Sequence, residues 1–464
     1  MAAEGMSRPE GVRGLREFVL GVLVRARGGG FVGEVLEREF EHRRFPAGLR
    51  AAASELASGV VRRRITLDYL IGVFSDRPVG RIDRTLLDIL RIALYEILFV
   101  EKVPVHASVD EAVALTRKRV RPEVAGFANA VLRGLTRAVE SERCAASGRA
   151  TGELPVAPGV VVRFNRDVFP DPATDPGGYL AASGGMPAWL VERWLSRFGP
   201  DATDGIVEAS NARPPVTVRV NTLSTTREKL AAGLAASDVR TSPGALEECL
   251  HVDSPVELTA LDVFKAGAFY IQDESAMHAA RMLTPRAGER VLDLCAAPGG
   301  KTTHLAALSG DAAEITAVDS SAGRLGRVVE NATRLGIRSI RTLEADARRL
   351  PDDLAGGFDA VLADVPCSNT GVLRRRVEAR HRLSPDVVRE LARVQTDILH
   401  AAIRTSRPGG RVVYSTCSIE DEENAAVVRT VLETHPGCRL DDEKQWLPSA
   451  SGADGGYVAR LLLP

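Results

Sequence analysis

The residues from Arg290 to Thr302 read R-V-L-D-L-C-A-A-P-G-G-K-T. The opening five, Arg290–Leu294, form a short apolar run that predicts a strand. The glycine-rich turn after it leads into a helix. Moving outward, Ile315–Val318, Ile340–Leu343, Asp359–Ala363 and Arg411–Tyr414 predict further strands. Helical patterns at Arg324–Leu335 and Val387–Ile403 alternate with them. That order predicts an α/β doubly wound, Rossmann-like core with a parallel sheet over residues 286–464. Functional groups then gather at the carboxyl ends of its strands.

The remainder divides by composition. Residues 1–140 predict an all-α bundle: an amphipathic helix over Ile82–Val100, one over Ser108–Arg119 and one near Phe127–Val139. Ser108 and Glu111 have capping-box spacing for the second of these. Residues 141–185 are rich in Pro, Gly, Asp and Ala and read as a linker, partly disordered. Residues 186–285 read as a small α+β domain, with a helix over Trp189–Phe198, a strand over Val216–Asn221 and a helix over Thr226–Ala235. The chain is therefore expected to be multidomain.

Charge is balanced, 60 Lys+Arg against 61 Asp+Glu, so contact with a polyanion must come from local patches. Six cysteines in 464 residues, none in a C-x-x-C pair, argue against both a disulfide framework and a zinc site. No apolar run is long enough to span a membrane, and the N-terminus lacks the pattern of a signal peptide. A cytoplasmic monomer without metal or membrane attachment is expected.

Three ligand classes could use the turn Cys295-Ala296-Ala297-Pro298-Gly299-Gly300-Lys301. A P-loop would place a glycine where Cys295 stands, and the G-x-G-x-x-G dinucleotide fingerprint is absent. S-adenosylmethionine needs no phosphate cradle but does need an acid for its ribose hydroxyls. Asp319, nineteen positions beyond Gly300, ends the second strand and suits that task. Asp346 follows the third strand and could meet the adenine end. Taken singly, each is equally a loop acid at a strand end.

Cys367, in Asp364-Val-Pro-Cys-Ser, follows the fourth strand, and Cys417, in Ser415-Thr-Cys-Ser, follows the fifth. A single cysteine is usually an inert buried residue. Two at neighbouring strand ends beside a nucleotide-type loop point to covalent chemistry. Carbon 5 of cytosine is a poor nucleophile until a thiolate adds to carbon 6. Asp364 could hydrogen-bond the base edge, and the base must leave its stack to enter such a pocket.

With these residues in view, Asp293-Leu-Cys-Ala-Ala-Pro-Gly-Gly-Lys-Thr302, Asp364-Val-Pro-Cys-Ser-Asn-Thr-Gly371 and Tyr414-Ser-Thr-Cys-Ser418 closely resemble the signatures of RNA 5-methylcytosine methyltransferases. Arg81-Ile-Asp-Arg84, Pro104-Val-His-Ala-Ser-Val-Asp-Glu111 and Phe127-Ala-Asn-Ala-Val-Leu-Arg133 resemble a NusB-type RNA-binding domain. The combination is similar to the bacterial small-subunit rRNA cytosine-C5 methyltransferases of the Sun or Fmu type. The resemblance implies a class I methyltransferase core using S-adenosylmethionine, with RNA, 16S rRNA in particular, as the partner. It implies Cys417 as nucleophile and Cys367 as the residue that helps release product. Cofactor contacts are implied for Cys295 through Lys301 and for Asp319, Asp346 and Asp364. Two readings stand beside it: a tRNA cytosine-C5 methyltransferase, and a non-catalytic RNA-binding or ribosome-assembly factor. The family often has Asp-Ala-Pro-Cys, where Val365 stands here, and the run Arg376-Val-Glu-Ala-Arg-His381 departs from its usual Pro-Asp stretch. The basic runs Arg374-Arg375-Arg376 with Arg380 and Arg382, and Arg117-Lys118-Arg119 with Arg121, are candidates for gripping phosphates.

Overall fold

Seven strands make the main sheet: β1 (Arg290–Leu294), β2 (Glu314–Asp319), β3 (Ile340–Glu344), β4 (Phe358–Asp364), β5 (Ser406–Thr416), β6 (Arg439–Trp446) and β7 (Gly456–Leu462). Their spatial order is β3-β2-β1-β4-β5-β7-β6. The first five run parallel, while β7 lies antiparallel to β5, and β6 antiparallel to β7. The computed structural model describes residues 10–42, 45–101, 103–254, 256–449 and 452–464. Two compact units divide at Ala212/Arg213.

The central strands are buried on both faces, as a parallel sheet covered by helices requires. Val291, Leu292, Leu294, Val361, Leu362, Val412 and Val413 are all fully enclosed. The helix Pro385–Thr405 on one face starts at Ser384, whose hydroxyl accepts from Val387 N. The expected all-parallel sheet is corrected by β6 and β7. β6 reads R-L-D-D-E-K-Q-W and is exposed along nearly all its length, so its composition looks like a surface loop. A charged edge strand of this kind resists pairing with another chain.

The same unit contains a four-stranded antiparallel sheet, ordered Thr241–Pro243, Cys249–Val252, Val216–Val220, Phe269–Ile271. Thr226 caps its helix Arg227–Ala235.

In the N-terminal unit, the helices Arg84–Phe99, Val105–Arg119 and Ala125–Ala138 match the three expected helices within a few residues. Asp83 caps the first by accepting from the Thr85 and Leu86 amides. The cap expected at Ser108 is corrected: the second helix starts three residues earlier, after Pro104. Ser108 lies inside it, buried, and donates to Glu96 Oε2 at 2.9 Å. Glu96 also receives Arg16 Nε at 2.7 Å, so the hydroxyl completes a buried ion pair instead of a helix end.

The linker expected over 141–185 is likewise corrected. Val139–Ala145, Glu153–Ala157 and Val160–Phe164 form an antiparallel sheet, and Pro176–Gly184 is a helix. The hairpin between the last two strands turns at Gly159, which adopts φ +68°. Turn residues crowd this segment because its strands are short, and that density masked them. The helix expected over Trp189–Phe198 extends over Ala188–Asn211, broken at Gly199 (φ +78°) ahead of Pro200. Among the described residues, no helix is long and apolar enough to cross a membrane.

Candidate active site

The carboxyl ends of β1, β2, β4 and β5 carry the sequence-predicted residues, and Asp346 follows the carboxyl end of the neighbouring β3. After β1 the chain turns through Cys295 (φ +62°) and Gly299 (φ +100°) into the helix Gly300–Leu308. A Cβ on Gly299 would stand 3.2 Å from Val328 Cα, so only glycine lets the turn lie this close to the next helix. Ala296 and Ala297 are buried against Ala317, Leu325 and Val328. Cross-links hold the turn's shape: Arg324 Nη2 donates to Ala297 O at 3.0 Å, and Asn331 Nδ2 to Pro298 O at 3.1 Å.

Asp319 is buried at the end of β2 and accepts from Ala297 N (3.3 Å) and Ser321 N (3.2 Å). It thereby ties the first loop to the second. Asp346 differs. Arg348 grips its carboxylate at 2.6–3.1 Å on the exposed side of the loop after β3, and that hydrogen bonding holds Asp346 below the usual carboxylate range. Asp319 has an arginine near it as well, Arg324 Nη1 at 3.4 Å.

Lys301 Nζ lies 2.6 Å from Asp364 Oδ2. Burial works against the ammonium, but the charge and hydrogen bond of Asp364, with Cys417 and Asp293 nearby, together outweigh it and raise the lysine's pKa. Asp293, fully buried in β1, accepts from Thr302 Oγ1 at 2.6 Å, while its Oδ1 has no hydrogen-bond partner among the described residues. Burial pushes Asp293 up to about 7. Arg219, on the strand Val216–Val220, donates to Gly300 O and to Thr303 Oγ1 (2.8 Å), bracing the first turn of the glycine-led helix. Burial lowers this guanidinium to about 9.

The two cysteines meet. Cys367 Sγ and Cys417 Sγ lie 2.9 Å apart as free thiols. The Cys417 thiol also faces Asn369 Oδ1 at 3.3 Å. Asn369, with φ +63°, donates its amide to Cys367 O at 2.8 Å, so one side chain touches both cysteines. The hydrogen bond with Cys417, together with burial, pushes the Cys367 thiol well up. Burial also pushes up Cys295. A cavity of about 240 Å³ opens beside the pair, lined by Lys301, Asp364, Asn369, Cys417, Trp446 and Tyr457.

Several of these residues escaped the sequence reading. For Asn369 the available signal is its polar side chain two positions past Cys367. Trp446 and Tyr457 reach the cavity from β6 and β7, the strands that were not anticipated. The basic run after Cys367 is corrected at two of its five arginines. Arg374 is buried, donating to Asp454, to Ser449 O (3.0 Å) and to Gly452 O (2.7 Å). Arg375 joins Asp454 to Asp273, and Arg380 is buried too. Arg374 and Arg380 thus hold the loop together, whereas Arg375, Arg376 and Arg382 stay exposed, and Arg375 and Arg376 line the cavity. In the N-terminal unit, Lys118 and Arg119 both pair with Glu17 on an exposed face.

Residues 280–462 match the family described as 16S rRNA methyltransferase RsmB/F, residues 15–137 the NusB family, and residues 186–259 the ferredoxin-like domain of RsmF/B-like methyltransferases. The chain is 32% identical over 430 residues to the probable ribosomal RNA small subunit methyltransferase B of Bacillus subtilis (strain 168), covering 89% of this chain and 90% of that protein. It is 33% identical over 423 residues to ribosomal RNA small subunit methyltransferase B of Escherichia coli (strain SMS-3-5 / SECEC), with the same coverage of 89% and 90%. Among solved structures, PH0851 matches with TM-score 0.76 and 25% identity, over 99% of this chain and all of that one. NSun6 from Pyrococcus horikoshii, solved with SFG, matches with TM-score 0.55 and 25% identity, over 61% of this chain and 99% of that one. Fold and site define a methyltransferase with a doubly wound core, a ferredoxin-like domain and a NusB-like helical domain at its N-terminus. The chain belongs to the 16S rRNA methyltransferase RsmB/F family, the one its sequence motifs resemble.

Proposed function

We propose that this protein transfers a methyl group from S-adenosylmethionine to carbon 5 of a cytosine in 16S rRNA, with Cys417 as covalent nucleophile. The observation that carries the reading is the contact between Cys367 and Cys417 at 2.9 Å, where two neighbouring strand ends meet the cavity.

The residues present suit this methyl donor better than a nucleotide. Asp293, Asp319 and Asp364 surround the glycine-rich turn, and one buried oxygen of Asp293 lacks a partner among the described residues. Such a ring of acids repels polyphosphate but favours hydroxyls and positive charge. Cys295 through Lys301 would line the donor, Asp319 would accept from its ribose hydroxyls, and Asp346 would serve the adenine end only by yielding Arg348. When bound, S-adenosylmethionine supplies an electrophilic methyl carbon and departs as the neutral thioether.

Cys417 as thiolate forms a bond from Sγ to carbon 6 of a flipped-out cytosine, and the displaced electron pair moves to carbon 5, making it the nucleophile. Asp364, held by Lys301, hydrogen-bonds the base edge. Cys367, as thiolate, takes the proton from methylated carbon 5 and becomes the thiol, the electron pair restores the ring double bond, and the Sγ–carbon 6 bond breaks to return the Cys417 thiolate. Bisulfite sequencing of rRNA and tRNA from a deletion strain tests the proposal. Loss of one 16S cytosine mark supports it. Loss of a tRNA mark instead moves the activity to tRNA, and no lost mark favours an assembly factor.

A further inference from the structure

Glu423 is completely buried in the short turn Asp421–Glu423, ahead of the helix Ala425–Thr434. Its carboxylate accepts from Ser368 N at 2.8 Å, from the hydroxyls of Ser368 and Ser418, and from Gln395 Nε2 at 3.0 Å. Ser368 is the residue after Cys367, and Ser418 the residue after Cys417. The two hydroxyls also meet each other at 3.1 Å.

Burying a carboxylate costs several kcal/mol unless its lone pairs are satisfied. Here that charge is satisfied by donors from the two loops that carry the thiols. The reaction explains why such a tie matters. Carbons 5 and 6 are bonded neighbours, so a thiol acting on one and a thiol acting on the other must be held a few ångströms apart. Loop ends left to fluctuate would lose that registration, and an error of about 1 Å in placing reacting groups can cost about a hundredfold.

We propose that Glu423 is a positioning residue: by gripping Ser368 and Ser418 it fixes the separation and mutual aim of Cys367 and Cys417. This rests on the covalent reading above. A geometric test needs neither RNA nor methyl donor. Diamide oxidises two adjacent thiols to a disulfide and is itself reduced to the hydrazine, so the rate of Cys367–Cys417 cross-linking, followed by mass spectrometry, reports their registration.

The full-length protein should cross-link fastest, Glu423→Asp more slowly, and Glu423→Ala slower by about tenfold or more. Calorimetry with S-adenosylmethionine and a melting curve separate this effect from general unfolding. Where Glu423→Ala does not fold, Glu423→Gln, which keeps the shape and one accepting oxygen, gives the reading. Equal cross-linking rates in folded variants overturn the proposal. Failure of the covalent reading looks different: Cys367→Ala traps no RNA adduct, yet the cross-linking rates of the Glu423 variants keep their order.

Discussion

Lys301 reaches from the glycine-led helix to Asp364 at the end of β4, 2.6 Å away, three residues before Cys367. The donor loop and a thiol loop thus share one ion pair at the cavity wall. Lys301→Met leaves the Asp364 carboxylate unpaired. Because Asp364 keeps 29% exposure, the stability cost falls below the 3–5 kcal/mol typical of a fully buried broken pair. Methyl transfer should suffer more, dropping about a hundredfold in single-turnover assays, since a misplaced group at the reacting atoms is costly. Unchanged turnover in the folded variant would reduce the pair to a structural tie.

Asp319 and Asp346 should behave differently. Asp319 is buried and anchors the turn through Ala297 N, whereas Asp346 faces solvent and is engaged by Arg348. Asp319→Ala should weaken S-adenosylmethionine at least about tenfold, as expected when a charge-assisted hydrogen bond is lost. Asp346→Ala should change affinity by less. Calorimetry on both checks this, and a larger loss at Asp346 would restore its predicted place at the adenine end.

The core was readable because β1 to β5 are apolar runs set between helices of clear period, with acids and thiols at their ends. Asp319, Asp364, Cys367 and Cys417 fell into place from that arithmetic alone. Other parts were hidden for physical reasons. β6 is polar because it is an exposed edge, and the short strands between 139 and 164 are crowded by turn residues. Arg374 looks like a phosphate contact in sequence, since only the fold shows Asp454 facing it. That difference has a consequence. Arg374→Ala should destabilise the C-terminal unit, but by less than the about 3–5 kcal/mol of a fully broken buried pair, because Arg375 still pairs with Asp454. The salt dependence of RNA binding by any folded fraction should stay the same, whereas loss of a phosphate contact would lower that slope.

The hidden strands also limit where the chain can be cut. Removing residues 1–140 severs Val139–Ala145 from the start of its pairing with Val160–Phe164. The remnant should expose a strand edge and aggregate. A cut at the unit boundary, leaving 213–464, avoids that edge. The shorter chain should bind S-adenosylmethionine and lose affinity for RNA. Light scattering and calorimetry decide between the two cuts, and unchanged RNA kinetics after either deletion would remove the N-terminal unit from recognition.

Acid should destabilise the C-terminal unit through His304. This ring is buried, with Nε2 at 3.0 Å from Glu248 Oε1, and burial lowers it from 6.5 to about 4. Burial alone would raise Glu248, but the hydrogen bonds from His304, its own backbone amide and Arg281 together prevail and the carboxylate falls to about 2. With the folded pKa depressed, the unfolded chain binds the histidine's proton first. Its contribution is therefore full above pH 6.5 and is lost as pH falls toward 4. The loss amounts to at most about 3 kcal/mol. His304→Gln should be less stable than the parent at neutral pH and should show a flatter decline across that window. Urea unfolding at several pH values measures it, and parallel declines would rule out His304 as the acid-sensitive group.

The two thiols should fail in different ways. Cys417→Ala removes the sulfur that faces Asn369 and lines the cavity, so neither methyl transfer nor an RNA adduct should be detectable. Cys367→Ala keeps that nucleophile. Attack at carbon 6 and methylation at carbon 5 should proceed, but the group that takes the carbon 5 proton is missing, so the bond to Cys417 persists. A protein–RNA species should then build up, survive denaturing electrophoresis and disappear on nuclease treatment. Each variant is incubated with 16S rRNA and S-adenosylmethionine, and the gel-shifted protein is compared. An adduct with Cys417→Ala and none with Cys367→Ala would exchange the two roles. Full turnover by both would end the covalent mechanism while leaving the family assignment in place.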